Sequence, residues 1–319
     1  MAHEVESMMY VGETPWHGLG VAIPDGKKLS IKEAIVASGL DWEVELRHIF
    51  TEDDKGSLHG ILNHYVSCRK KDNSVLGIVG KDYRPLQNRD AFKWFQPFLE
   101  SEEATLETAG SLKGGSRVWV LARIRRDPLV VGKEDLMRHY VLLSNSHDRS
   151  LAVRVGFTPI RVVCNNTLCL AHESKASKLL RVKHTSRVLE NLEDVRDTID
   201  LAQQEFAATV KQYNQLASRQ INSTDLVEYV RVVFGLKEGY KTPAQEKQQK
   251  IIPSVVRLFE NGRGSRTAGT NYWGAYNAVN EYLNYFRGKT QDNTLNSLWF
   301  GNSATLNKRA LGVAMRLAA

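Results

Sequence analysis

The sequence predicts an α+β protein, with an N-terminal antiparallel sheet flanked by helices and a C-terminal part that is mostly helical. Two patterns favour this class. Apolar and polar residues alternate in several segments of the first half, whereas apolar residues recur at helical spacing in the second. This change of period predicts two domains, 1–175 and 176–319, that meet near the basic stretch HESKASKLLRVKHTSR at 172–187.

The first predicted elements are a helix, three strands and a second helix, in that order. Ser30 is placed to cap the first helix, and Asp72-Asn73 is a typical hairpin turn between the second and third strands. The helix, first strand, hairpin and second helix are predicted at 29–39, 40–50, 64–80 and 89–100.

A second β region follows, with strands predicted at 116–126, 139–146 and 151–164. Residues 147–150 read as the turn between the last two of these strands. Pro159 cannot donate a ladder hydrogen bond, so we expect a bulge or a sheet edge at that position.

The C-terminal part is predicted to contain one long helix and several shorter ones. The long helix, up to nine turns over 186–220, carries a narrow apolar stripe that could pack on the β domain or pair with a neighbouring subunit. An aromatic helix at 271–288 has apolar side chains at core spacing, so its rings are expected to pack rather than to stack on bases. Shorter helices are predicted at 226–236 and 247–262.

The composition limits the classes of protein to consider. The chain has 319 residues, 42% of them apolar, and no apolar run long enough to cross a bilayer. Its N-terminus lacks the order of a signal peptide, and three cysteines are too few for a disulfide framework. We therefore expect a protein of the reducing cytoplasm.

Cysteine and histidine chemistry is weakly indicated. Cys164 and Cys169 are too widely spaced for a typical zinc site, and a triad of either cysteine with His147 and Asp148 is not required by any spacing. Buried, inert cysteines at a strand end are the favoured interpretation. The segment at 288–290 resembles the end of a phosphate-binding loop but lacks its first glycine, so no ATP, metal or other cofactor is expected.

Charge favours a polyanionic partner. The net charge is +7 and the pI is near 9.2, which is typical of nucleic-acid binding, although a basic surface kept for solubility is the alternative.

One strand supplies a candidate nucleic-acid surface. Alternation in 116–126 places Arg117, Trp119, Arg123 and Arg125 on one face, where guanidinium groups could neutralise phosphates and the indole could stack on an unpaired base. The alternative is a solvated rim around an ordinary sheet. The candidate DNA-binding residues are Arg117, Trp119, Arg123, Arg125, Arg154, Arg161, Lys178, Arg181, Lys183, Arg69 and Lys70.

Several segments resemble a widespread family, the "phage/plasmid-like protein" group, which is a domain of unknown function. They are PWHGLG (15–20), SNSHDRSLAVRVGFTPIRVVCNNTL (144–168), WGAYNAVNEYLNYF (273–286) and SLWFG (297–301). The resemblance implies a setting on bacterial mobile DNA but assigns no activity and no functional residue. This chain has Asp148-Arg149 where Asp-Gly is expected in many members.

The order helix, strand, strand, strand, helix over 29–100 is also similar to the core of single-strand annealing recombinases of the RecT, Redβ and Rad type. That resemblance implies ATP-independent annealing of single-stranded DNA during phage or plasmid recombination, by a homo-oligomeric ring or filament in the bacterial cytoplasm. Many unrelated α+β domains share this order, and no residue motif carries it.

Two other classes of function remain open from the sequence. The first is a phage or plasmid hydrolase or nuclease that uses Asp148, His147 or Cys164. The second is a structural or counter-defence protein that binds a host protein, for which Arg117 and Arg123 would be dispensable.

Overall fold

The computed structural model describes residues 5–12, 19–125, 127–161, 181–190, 199–236, 250–287, 297–298 and 301–319. The chain divides into two compact units. The first is drawn from 1–125, 140–157 and 171–202, and the second from 126–139, 158–170 and 203–319. The predicted boundary at 175/176 lies outside the described residues.

The fold is mixed α and β, with an N-terminal sheet and a helical C-terminal part, as the sequence predicts. The strands are β1 Val5–Val11, β2 Val21–Ile23, β3 Val44–Glu52, β4 Leu58–Arg69, β5 Val75–Gly80, β6 Ala104–Leu112, β7 Arg117–Ile124, β8 Leu129–Val131, β9 Asp135–Ser146, β10 Val153–Arg161 and β11 Arg181–Val182. The helices are α1 Ile31–Ala37, α2 Asn88–Lys93, α3 Gln96–Glu100, α4 Ile199–Ser218, α5 Ser223–Phe234, α6 Ile251–Asn261, α7 Ser265–Ala268, α8 Tyr272–Tyr285 and α9 Asn302–Leu317.

The larger sheet has the strand order β11-β10-β9-β7-β6-β1-β2, with β8 paired to β9. β7 therefore lies between β6 and β9, antiparallel to both. Residues 118–122 of β7 are all buried, so both faces of this central strand are covered. β7 thus serves mainly as a core strand.

The smaller sheet is the antiparallel set β3-β4-β5, preceded by α1 and followed by α2. This confirms the predicted order of helix, three strands and helix. Ser30 caps α1 in a reciprocal capping box with Glu33. The hairpin turns at the predicted place, where Asn73 takes a φ of 61° and Asp72 accepts a hydrogen bond from the Ser74 amide at 3.0 Å.

β3 and β4 extend beyond the end of β5 as a two-stranded arm. Every residue from 50 to 64 is exposed, including Leu62 with 82% of its surface accessible. The sequence prediction began the second strand at residue 64, because the residues before it do not alternate. Asn63, with a φ of 62°, marks the irregularity that hides the strand from a period-two pattern.

The core of the first unit lies between the apolar face of the large sheet and the helices α1 to α3. Met9, Val120 and Leu143 from three strands meet Phe92 and Phe95 from the α2 region, and each is at most 1% exposed. Burying each such side chain stabilises the fold by about 1.5–3 kcal/mol.

The second unit contains the helices α4 to α9. α4 confirms the 199–218 part of the predicted long helix, whereas residues 191–198 are not described. The aromatic helix is a core helix, because Tyr276 and Val279 are fully buried. Its Trp273 donates a buried hydrogen bond to Asp135 Oδ2 at 2.7 Å.

In the part of the chain that the structure describes, no helix has the length and apolar character needed to cross a bilayer.

Candidate nucleic-acid interface

A rigid turn at 147–152 joins β9 to β10 at one end of the large sheet. The His147 amide donates to the Ser116 carbonyl at 2.8 Å. Ser146 Oγ donates to the Leu151 carbonyl and accepts from its amide, both at 2.9 Å. The Ser150 amide donates to Asp148 Oδ1 at 2.8 Å. These bonds fix the backbone and hold Arg149 at the tip.

β5 packs against this turn. Asp148 lies on Gly77, where an added β-carbon would be 2.6 Å from Asp148 Cβ. The exposed guanidinium of Arg149 lies over Gly80, with its Nη1 3.5 Å from the position that a β-carbon would take there. Glycine at 77 and 80 therefore allows the turn and the strand end to approach closely.

The segment after β11 is hydrogen-bonded to the loop after β5 at the same end of the large sheet. The Arg84 amide donates to the His184 carbonyl at 3.0 Å, and His184 Nδ1 lies 3.2 Å from the Arg84 carbonyl. Tyr83 packs against the His184 ring at 4.8 Å and donates its hydroxyl proton to the Ser146 carbonyl at 2.8 Å. The loop after β5, the 147–152 turn and the segment after β11 are thus held together.

Four exposed cations project from these three segments, namely Lys81, Arg84, Arg149 and Lys183, and we call them the turn cluster. Among the described residues, no carboxylate lies within ion-pair distance of any of the four. Two acids, Asp82 and Asp148, belong to the same segments. The cluster nevertheless retains net positive charge that faces solvent.

His147 lies beneath the turn and belongs to the interior. Burial lowers its pKa to about 3, and the positive charges of His184 and Arg69 act in the same direction while Asp148 opposes them. Its Nε2 lies 3.1 Å from Asn88 Oδ1, which requires the tautomer with the proton on Nε2. A neutral ring with no exposed surface cannot contact a substrate in this conformation.

Several of the predicted DNA-binding residues lie at this end of the sheet, near the turn cluster. Lys183 is one of its members, and Arg117 donates from Nε to Ser150 Oγ at 3.1 Å. Arg154 is the second residue of β10, close to the turn, and pairs in register with Arg181 of β11.

The indole predicted to stack on bases is instead buried. Trp119 is 1% exposed and lies across Gly110, where an added β-carbon would be 2.6 Å from its Cη2 atom. The prediction of an accessible Trp119 is therefore wrong. Alternation identified its face correctly, but it could not reveal that both faces of β7 are covered.

Arg123 and Arg125 lie near the opposite end of β7. Arg123 is six residues from Arg117, or about 20 Å along a strand. It pairs with Glu107 at 2.9 Å, and Arg125 pairs with Glu102 at 3.3 Å. The predicted single basic face is thus divided between two ends of the sheet.

The hairpin cations also have carboxylate partners. Arg69 is 8% exposed, pairs with Glu6 at 2.7 Å and lies 4.6 Å over the Trp42 ring, so the expected surface position for it is wrong. Lys70 is exposed but lies 3.4 Å from Glu43.

The remaining candidates fall outside the description. Lys178, Cys164 and Cys169 lie in 162–180, and the side chains of Arg161 and Arg181 are likewise not described. Sequence reasoning missed Lys81, Arg84 and Arg149. Lys81 and Arg84 lie in the loop after β5 and Arg149 lies in the turn after β9, and the only available signal was that both loops adjoin predicted strand ends.

The fold and this surface define an α+β protein with an exposed cationic cluster at one end of its large sheet. A family model described as "Domain of unknown function (DUF932)" matches residues 75–299, and the chain belongs to this family. The matched region includes all four residues of the turn cluster. Searches of the curated proteins and of the solved structures found no match.

Proposed function

We propose that this protein binds single-stranded DNA through the turn cluster and anneals complementary strands, without ATP, during phage or plasmid recombination. One observation carries the proposal. Three segments distant in the sequence are hydrogen-bonded together and present four exposed cations with no carboxylate partner among the described residues. Like charges repel one another, so such a group is best explained by an anionic ligand that neutralises it.

The chemistry of the cluster suits a phosphate backbone. Arg84 donates from Nη1 to the Lys81 and Tyr83 carbonyls, each at 3.0 Å, and can offer its Nε and Nη2 protons to a phosphate. Arg149 can present two N–H groups to one phosphate, and Lys81 and Lys183 add point charges. The rings beside the cluster, those of Tyr83, His147 and His184, are buried, so the described residues of the cluster hold the backbone and offer no ring to the bases. A strand held in this way keeps its base edges available for a complementary strand.

The small sheet and the charge balance support annealing within this class. The order α1-β3-β4-β5-α2 matches the order described above for single-strand annealing recombinases, and the chain carries a net charge of +7. Four phosphate contacts imply a salt slope of about −2.8 for a single strand. One copy thus contacts a short stretch of DNA, so we propose a homo-oligomer that lines up several clusters.

Fluorescence anisotropy with a labelled oligothymidylate across a salt series tests the proposal. We expect the triple variant K81A/R84A/K183A to lose most of the affinity and most of the salt slope. The matched control, K70A/K71A/R125A, removes three exposed cations that have carboxylate partners and should bind nearly as the wild type does. Equal binding by both triple variants would overturn the proposal.

Annealing itself needs a second readout. Mixing complementary oligonucleotides with a donor and an acceptor dye should give faster pairing with the wild type than with the triple variant, in the absence of ATP. Binding without accelerated pairing would limit the function to protection of single strands. Absence of DNA binding at low salt, together with capture of a host protein that tolerates the triple variant, would favour the counter-defence alternative.

A further inference from the structure

Arg149 adopts a backbone conformation that arginine rarely takes. Its φ is 66°, in the left-handed region that favours glycine. Among the described non-glycine residues, positive φ also occurs at Asn63, Asn73, Glu102 and Lys113. Asparagine tolerates this region, and Glu102 contributes to ion pairs with Lys28 and Arg125. Lys113, in the exposed turn between β6 and β7, and Arg149 have no such local explanation, and of the two only Arg149 belongs to the turn cluster.

The structure around Arg149 enforces this conformation. Asp148 is held on Gly77, its carboxylate accepts the Ser150 amide, and Ser146 bonds both backbone groups of Leu151. Strained residues that are fixed by their surroundings are concentrated at ligand-binding sites. A glycine would fulfil the backbone requirement of the turn at lower cost, so the backbone geometry does not account for an arginine at this position.

We propose that Arg149 is a phosphate-binding residue of the cluster and that its left-handed backbone aims the guanidinium at the bound strand. This inference rests on the proposed function and assigns the ligand group as a phosphodiester. The guanidinium is exposed, lies over Gly80 and has no carboxylate partner among the described residues. Its planar fork is the side-chain geometry that binds two phosphate oxygens at once.

The experiment compares R149G and R149K with the wild-type chain by thermal unfolding and by the oligothymidylate titration. R149G relieves the strain and removes a repelling charge, so its Tm should rise. It also loses one phosphate contact, so the salt slope should fall by about 0.7 and the affinity at 0.1 M salt by about fivefold. R149K keeps both the charge and the strain, so its Tm and slope should remain near those of the wild type, with a smaller loss of affinity.

The charge control is K55A, which removes an exposed cation from the tip of the arm and should leave binding unchanged. If wild-type protein does not bind the oligonucleotide, the proposed function fails. If wild-type protein binds and R149G binds equally well with the same slope, the role of Arg149 alone is refuted. A lower Tm for R149G would refute the strain argument, and R149N, which tolerates the same φ without the charge, would then test the binding role separately.

Discussion

At the scale of single residues, Arg69 differs most from its predicted role. The sequence places it in a cationic run beside Lys70, and such a run is typical of a solvated hairpin. In the structure its guanidinium is enclosed by Glu6, the Gly114 carbonyl and the Trp42 ring. The contacts come from residues distant in the sequence, so no local pattern could distinguish a structural arginine from a DNA-binding one.

Arg69→Ala should therefore reduce stability rather than act directly on binding. Removing one partner of a largely buried pair leaves Glu6 uncompensated, and we expect the free energy of unfolding to fall by about 3 kcal/mol. Urea unfolding measures this loss. The neighbouring Lys70→Ala should change it by less than about 0.5 kcal/mol. A stable R69A variant that had lost DNA binding would contradict this assignment.

The lowered pKa of His147 predicts how the stability of the protein depends on pH. Its pKa in the folded protein is about 3, below the unfolded value of 6.5. Between these values the unfolded chain binds a proton that the folded chain does not. The stabilisation that the neutral His147 ring gives the folded state is therefore complete above pH 6.5. It is lost as the pH falls toward 3, and at pH 4 the free energy of unfolding is lower by about 3 kcal/mol.

His147→Gln tests this linkage, because glutamine can still donate a hydrogen bond to Asn88 Oδ1 and does not titrate. Unfolding measured in urea between pH 7 and pH 4 should show a flatter dependence in the variant than in the wild type. The same slope in both proteins would mean that His147 is not the group responsible.

At the scale of elements, the sequence predicted α1, the α2–α3 region, α4, α5, α6 and α8, and the strands β3, β4, β5, β7, β9 and β10, since their periods are local properties. It did not predict β1, β2, β6, β8, β11, α7 or α9. It missed the arm, where β4 lacks alternation, and it missed the contact between the end of β5 and the 147–152 turn. That contact depends on Gly77. From the sequence alone, a glycine within a strand indicates only a flexible position and does not show which residue packs against it. Packing of one element on another is not encoded in any single window of residues.

Gly77→Ala tests this contact. The new β-carbon would lie 2.6 Å from Asp148 Cβ and 2.7 Å from its Cα, so the turn must move or the strand must shift. We expect a destabilisation of about 1–3 kcal/mol, measured by urea unfolding, and weaker DNA binding as Arg149 is displaced. Gly60→Ala on the arm is the matched control, because its β-carbon would meet only Phe50 ring carbons at 3.8 and 4.0 Å. Equal stability of the two variants would show that the turn does not depend on this packing.

At the scale of the whole molecule, the fold class followed from the sequence but the position of the cationic site did not. Net charge predicted a polyanion partner, and Lys183 and Arg117 were among the residues chosen. Lys183 joins the cluster because Arg84 and His184, 100 positions apart, are hydrogen-bonded to each other. Trp119 and Arg123 were predicted to bind DNA because residues alternate along β7. In the structure Trp119 is buried in the core, and Arg123 forms a salt bridge with Glu107.

Crosslinking tests most directly whether DNA lies across the turn cluster. A photoreactive oligothymidylate would be irradiated with the protein, and the attached peptides would be identified by mass spectrometry. We expect crosslinks in 80–84, 147–151 and 183–187 that are lost in K81A/R84A/K183A. Crosslinks confined to the arm, to the Arg123–Arg125 end of β7 or to the helical second unit would contradict it.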